Sequence, residues 1–88
     1  MTSATTQISI TLTASQARNT YQALSHATAL YRQEMLAIFT KHNAEWKYQL
    51  PDNASFRMTQ LEDCERWSIE TMGILSANAA IAGFPVEP

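Results

Sequence analysis

The fold of this 88-residue chain is decided by residues 13–42, which read TASQARNTYQALSHATALYRQEMLAIFTKH. Thr13 and Gln16 can form a capping box, in which each side chain bonds the backbone N–H of the other residue, so we expect helix 1 to start at Ala14. Side chains of one helix face follow at alternating steps of four and three residues. They are Ala17, Tyr21, Leu24, Thr28, Tyr31, Met35, Ile38 and His42.

The end of this helix is predicted near Lys41 or His42. Asn43 is a suitable left-handed terminator, and a cationic last turn complements the helix dipole. Additional apolar residues on an adjoining face, among them Ala27 and Leu30, make the apolar perimeter wider than one seam requires. We therefore expect helix 1 to pack against more than one element.

Alternating patterns predict strands on both sides of this helix. A short N-terminal strand is expected where Ile8, Ile10 and Leu12 alternate with Ser and Thr. After the helix, apolar side chains recur at period two on either side of a Pro51-Asp52-Asn53 turn, which predicts a β-hairpin. These side chains are Trp46, Tyr48 and Leu50, then Phe56 and Met58.

A second capping box, Thr59-Gln60-Leu61-Glu62, predicts that helix 2 runs from about Gln60 to Ala82 and stops at Gly83. The predicted fold class is α+β: a short N-terminal strand, a long helix, a β-hairpin and a long C-terminal helix. The alternative is an all-α antiparallel helical hairpin in which helix 1 continues through Trp46 to Gln49. The predicted domain organisation is a flexible tail at 1–6, one globular domain at 7–84 and a tail at 85–88.

Composition excludes several classes of function. Only 16% of residues are charged and the net charge is −2, so there is no basic stripe for direct nucleic-acid binding. No window reaches the roughly 18 apolar residues of a membrane span. Cys64 is the single cysteine, which rules out an intramolecular disulfide and fits a cytoplasmic location.

The residues that could carry chemistry are not arranged for it. His26 and His42 are far apart in sequence, and Cys64 is flanked by the acidic Asp63 and Glu65, which disfavour a thiolate. Glycine occurs only at positions 73 and 83, too sparsely for a phosphate-binding loop. We expect no enzyme activity, no cofactor and no metal.

Binding to another protein is the predicted function, because aromatic side chains dominate interface energetics. The candidate contact residues are Trp46, Lys47, Tyr48, Gln49 and Arg57. The alternative is that the aromatic residues Trp46, Tyr48, Trp67 and Phe84 simply close a small core. Low charge and the wide apolar surface of the helices also predict a homodimer.

In its general design the chain resembles small accessory proteins encoded by phages and mobile elements, including anti-CRISPR and other anti-defence inhibitors. The resemblance rests on the length, the lone Cys64 and the opening Ile8-Ser9-Ile10-Thr11-Leu12-Thr13 before a long helix. It implies an inhibitor that occludes a functional surface of a host defence complex. The second hypothesis is a structural protein that assembles through its long helices.

Overall fold

Two long antiparallel helices and the loop between them form the structure, a computed structural model that describes residues 6–86. Helix α1 spans Ala14–Lys41, a short 3₁₀ turn spans Lys47–Gln49, and helix α2 spans Asp52–Ala82. The predicted tails at 1–6 and 85–88 lie partly outside the described residues.

Both ends of α1 are where the sequence predicts them. The backbone N–H of Gln16 donates to Thr13 Oγ1 at 3.1 Å, and the backbone N–H of Thr13 donates to Gln16 Oε1 at 2.9 Å. At the other end Asn43 adopts a positive φ of 48°, and the N–H of Ala44 bonds the carbonyl of Phe39 at 2.9 Å. The capping box and the left-handed terminator are therefore confirmed.

The predicted α+β class is wrong, because residues 6–86 contain no β-strand. Residues 6–13 have no regular secondary structure, and Ile8 and Ile10 are exposed instead of lying on a sheet. The structure is the all-α helical hairpin that was the alternative. The extension of helix 1 to Gln49 in that alternative is also wrong, since α1 ends at Lys41.

The predicted hairpin fails because α2 begins eight residues before Gln60, the start that the second capping box predicts. It starts at Asp52, where a carboxylate complements the positive end of the helix dipole, and Pro51 is the N-cap residue in an extended conformation. The early start places Ala54, Met58 and Leu61 on one helix face, and all three are buried. Thr59 then lies inside the helix, where its hydroxyl donates to the Ser55 carbonyl at 3.2 Å instead of capping.

Apart from Leu61, the buried apolar residues form two small clusters near the two ends of the hairpin. The loop-end cluster contains Leu50, Ala54 and Met58, packed by Met35, Ile38, Phe39 and Ala44. The open-end cluster contains Ala17, Ala79 and Val86, packed by Tyr21, Leu75 and Phe84. Because the start of α1 meets the end of α2 and the reverse, the helices are antiparallel.

The C-terminal segment folds back onto the open-end cluster. Gly83 has a φ of 88°, and the N–H groups of Gly83 and Phe84 bond the carbonyls of Ala80 and Ala79, as in a Schellman motif. The predicted stop of helix 2 at Gly83 is confirmed. The turn places Val86 in the core with only 2% of its surface exposed.

The two helices form a single layer. The described part of the chain measures 47 × 37 × 15 Å, and its smallest dimension is little more than the roughly 10–12 Å diameter of one helix with side chains. Each helix can therefore bury only the side that meets its neighbour. The two broad sides of the layer remain open.

Candidate protein-binding loop

The interhelical loop, residues 42–51, presents two large aromatic side chains at one end of the molecule. Trp46 is 59% exposed and Tyr48 is 82% exposed. The alternative that these two residues close the core is therefore wrong. It is also wrong for Trp67, whereas Phe84 does pack against the open-end cluster.

The side chain of Gln49 holds the backbone that carries these aromatic residues. Its Oε1 atom accepts hydrogen bonds from the N–H of Glu45 at 2.7 Å and of Trp46 at 3.0 Å. The N–H of Gln49 in turn donates to the Trp46 carbonyl at 3.0 Å. Gln49 therefore stabilises the conformation of the loop, in addition to its predicted role as a contact residue.

Two further contacts fasten the loop to α2 and to the core. Leu50 is buried in the loop-end cluster, and its N–H donates to the Lys47 carbonyl at 3.1 Å. Lys47 Nζ lies 2.8 Å from Glu62 Oε1, and both side chains stay partly exposed. The loop is therefore anchored by one apolar side chain and one ion pair while Trp46 and Tyr48 point outward.

Arg57 occupies a different element from the other four candidates, since it lies in the second turn of α2. Its Nε and Nη2 atoms donate to the two carboxylate oxygens of Glu34 at 2.6 and 3.1 Å, which links α2 to α1. These hydrogen bonds lower the pKa of Glu34 below its ordinary value and raise the pKa of Arg57. The structure thus brings residues 46–49 together in the loop and pairs Arg57 with α1.

A shallow groove beside the loop contains an apolar residue that is not among the predicted contact residues. It is formed by the last turns of α1 and the loop, with Leu36, Phe39, Thr40 and Gln49 among its lining residues. Leu36 is exposed and lies outside the four-and-three stripe of α1. Its position outside that stripe was the available signal that it faces away from α2.

The part of the chain that the structure describes was compared with the requirements of a metal site and of a membrane-spanning helix, and it meets neither. Within residues 6–86 no three His, Cys, Asp or Glu side chains are grouped to hold a metal ion. In the same range neither helix has a long enough apolar segment to cross a bilayer. Comparison of the chain with protein-family models, curated proteins and solved structures found no match.

Proposed function

We propose that this protein is a non-enzymatic protein–protein interaction module that binds its partner through the interhelical loop. The observation that carries the proposal is the exposure of Trp46 and Tyr48 on a backbone that Gln49 holds in place. Trp and Tyr are the side chains most enriched at the energetic centres of interfaces. Two of them, exposed and two residues apart on a short loop, can anchor the protein in a pocket of its partner.

The hydrogen bonds within the loop support this role in energetic terms. A loop that is already ordered loses less conformational entropy on binding than a flexible one, so more of the contact energy appears as affinity. Gln49, the Lys47–Glu62 pair and buried Leu50 supply that order. Lys47 lies next to both aromatic residues and can add a charged contact at the rim.

We further propose that the partner is a host defence complex and that the protein inhibits it by covering a functional surface. This step follows from the resemblance to phage and mobile-element accessory proteins. The low net charge of −2 favours occlusion by aromatic contacts over mimicry of nucleic acid by dense negative charge.

Capture of partners from bacterial lysate tests the binding role. A Trp46→Ala/Tyr48→Ala double variant should capture its partner at least about 30-fold more weakly than the parent, the effect of removing one hot spot of about 2 kcal/mol. Trp67→Ala is a matched control, because Trp67 is also 59% exposed but lies in α2, away from the loop. Equal capture by the parent and the double variant would show that the loop is not the binding surface.

The inhibitory role needs a separate assay. In a bacterial host whose CRISPR system blocks a phage, expression of the parent should restore plaque formation and the double variant should not. Hosts carrying other defence systems extend the same test. A parent that restores plaques in none of them, yet still captures a partner through the loop, would contradict inhibition and leave the binding role standing.

The second candidate function is structural assembly through the helices. One observation favours it: α2 exposes large apolar side chains on the side away from α1, including Trp67, Ile74 and Ile81. Assembly and loop-mediated binding use different surfaces, so the two functions are separable by mutation.

A further inference from the structure

The segment that precedes α1, residues 7–12 and here named the N-terminal segment, exposes its apolar side chains to solvent. Ile8, Ile10 and Leu12 are 86%, 74% and 36% exposed. Within residues 6–86, no backbone N–H or C=O group of this segment forms a hydrogen bond, and the first bonded backbone group is that of Thr13. Both the apolar side chains and the backbone of the segment are therefore without a partner in the described chain.

The composition of the N-terminal segment is that of a β-strand. Its apolar residues alternate with Ser9 and Thr11, and the branched side chains of Ile and Thr favour extended backbone. An extended backbone places all three apolar side chains on one face, whereas a helix would place Ile8 and Ile10 about 160° apart. Period-two spacing therefore gives the segment one apolar face only when it is extended.

The N-terminal segment also lacks the features that keep edge strands from pairing. Natural proteins protect exposed strands with charged side chains or proline. The segment contains neither of these, and it contains no glycine. The first charged side chain of the whole sequence is that of Arg18, which already lies in α1. Nothing in the residues of the segment opposes its pairing with another strand.

The capping box fixes the point at which the N-terminal segment leaves the hairpin. Thr13 has an extended backbone, with a φ of −71° and a ψ of 163°, and its side chain is bonded to the first turn of α1. Residues 7–12 continue from there and would span about 20 Å as a strand, which is the ordinary length of a strand in globular proteins.

We propose that the N-terminal segment binds a partner protein by adding a strand to an open edge of that partner's β-sheet. In this mode of recognition the backbone of an extended segment pairs with the edge, and alternate side chains enter pockets on the sheet. Residues 6–86 contain no strand to which the segment could be added, so the chain stays an all-α hairpin and the sheet belongs to the partner. A second copy of the segment does not suffice, because an isolated two-stranded ribbon is marginally stable at best in water.

The chemistry of the segment defines the edge that it fits. Its side chains are all neutral, so the paired face of the partner's edge should be apolar and free of the charges that block strand addition. Ile8 and Ile10 would face that sheet, and Ser9 and Thr11 would face solvent. Because no charged side chain takes part, binding should change little between about 0.1 and 1 M salt.

The N-terminal segment and the interhelical loop lie at opposite ends of α1. This helix has 28 residues and is therefore about 42 Å long. Strand addition is thus separate from loop-mediated binding, and each can fail without the other. Variants in the loop test one surface, and variants in the segment test the other.

Capture of proteins from a bacterial lysate, followed by hydrogen–deuterium exchange of the captured complex, tests strand addition. The full chain carries Trp46→Ala/Tyr48→Ala as its background, so that retention through the loop does not contribute. The decisive readout is the exchange rate of the amides of residues 7–12. They should exchange at least about tenfold more slowly in the complex than in the free chain, because strand pairing protects them.

Three changes in the same background show whether pairing or mere hydrophobicity holds the complex. Ile10→Pro removes a backbone N–H and should weaken capture at least about tenfold. Ser9→Ile/Ile10→Ser keeps the composition but moves one isoleucine to the opposite face, and it should weaken capture by a similar factor. Ile10→Val is the matched control and should be captured as well as the background chain. All three changes lie outside both helices, so the melting temperature should stay that of the background.

Five results would overturn the proposal. One is capture that Ile10→Pro does not weaken, and another is equally fast exchange of residues 7–12 in the complex and in the free chain. The others are a captured protein that has no β-sheet, retention of further copies of this chain only, and the absence of any protein whose retention depends on Ile10.

Discussion

The inner and outer sides of α2 differ in the kind of residue that each side carries. The inner side, toward α1, buries mostly small or flexible residues, among them Ala54, Met58, Ser68 and Ala79. The outer side exposes Phe56, Trp67, Ile74 and Ile81. Small inner residues let two helices approach closely, but they bury little apolar area, so the hairpin alone leaves much of its hydrophobic surface in water.

The largest expected effect lies on the inner side, at Leu61. This residue is 1% exposed, and Leu61→Ala should lower the free energy of unfolding by about 2–5 kcal/mol because it leaves a cavity. Ile74→Ala on the outer side is the comparison. If the outer side is an assembly contact, as the second candidate function supposes, the effect of Ile74→Ala on the melting temperature depends on protein concentration, whereas the effect of Leu61→Ala on the folded chain itself does not.

Melting curves at several concentrations check both variants. A loss for Ile74→Ala as large as that for Leu61→Ala even at the lowest concentration would mean that the outer side is already buried within one chain. A negligible loss for Leu61→Ala would show that the inner side is not the core.

A smaller effect is expected where α2 ends, because that turn returns Val86 to the inner side. Gly83 has a φ of 88°, a conformation that costs other residues about 1–2 kcal/mol, so Gly83→Ala should destabilise the protein by that amount. Gly73→Ala is the matched control within the same helix. No atom lies within 4 Å of the added Cβ there, and the change should stabilise by about 0.5–1 kcal/mol.

Urea midpoints of the two glycine variants give the readout. Shifts of opposite sign would show that the end of α2 depends on the left-handed turn. Shifts of the same sign would contradict this account of how the inner side is closed.

A slightly smaller loss of stability is expected from a change at the start of α1. Thr13→Ala removes the oxygen that accepts from the N–H of Gln16 and should cost about 1 kcal/mol. Thr13→Ser keeps the hydroxyl and serves as the control. In thermal melts, equal stability of the parent, Thr13→Ala and Thr13→Ser would indicate that the capping box does not support the helix.

The sequence predicted the elements whose limits depend on local chemistry. The capping box at Thr13, the left-handed Asn43 and the stop at Gly83 each act within a few residues, and all three are confirmed. Thr59 carries an equally good local signal, yet it lies inside α2. The helical conformation of residues 52–59 is instead favoured by the burial of Ala54 and Met58 against α1. Such a contact between segments distant in sequence leaves no local sequence pattern.

The candidate loop was predictable in its residues but not in its geometry. Period two put Trp46, Tyr48 and Leu50 on one face of a predicted strand, whereas the loop buries Leu50 and exposes the two aromatic residues. The reversal follows from the 3₁₀ turn at Lys47–Gln49, which Gln49 stabilises by bonding back to the loop backbone. Trp67, Ile74 and Ile81 are also apolar residues of helix 2 in the sequence, and only the packing of α2 against α1 shows that they stay exposed.

The smallest expected effect concerns the ion pair that links the helices at the edge of the inner side. Arg57 holds the pKa of Glu34 below its ordinary value of 4.5 by donating two hydrogen bonds to the carboxylate. A carboxyl group whose pKa is lower in the folded state stabilises the fold above its unfolded pKa, and that contribution is lost as the pH falls through the folded pKa.

Glu34→Gln should therefore be slightly less stable than the parent at pH 7 and approach the stability of the parent at pH 3. Because both side chains are exposed, 1 M salt should shrink the gap at pH 7. Urea midpoints at the two pH values measure the gap. A gap that stays constant from pH 7 to pH 3 would show that Glu34 acts through packing and not through its charge.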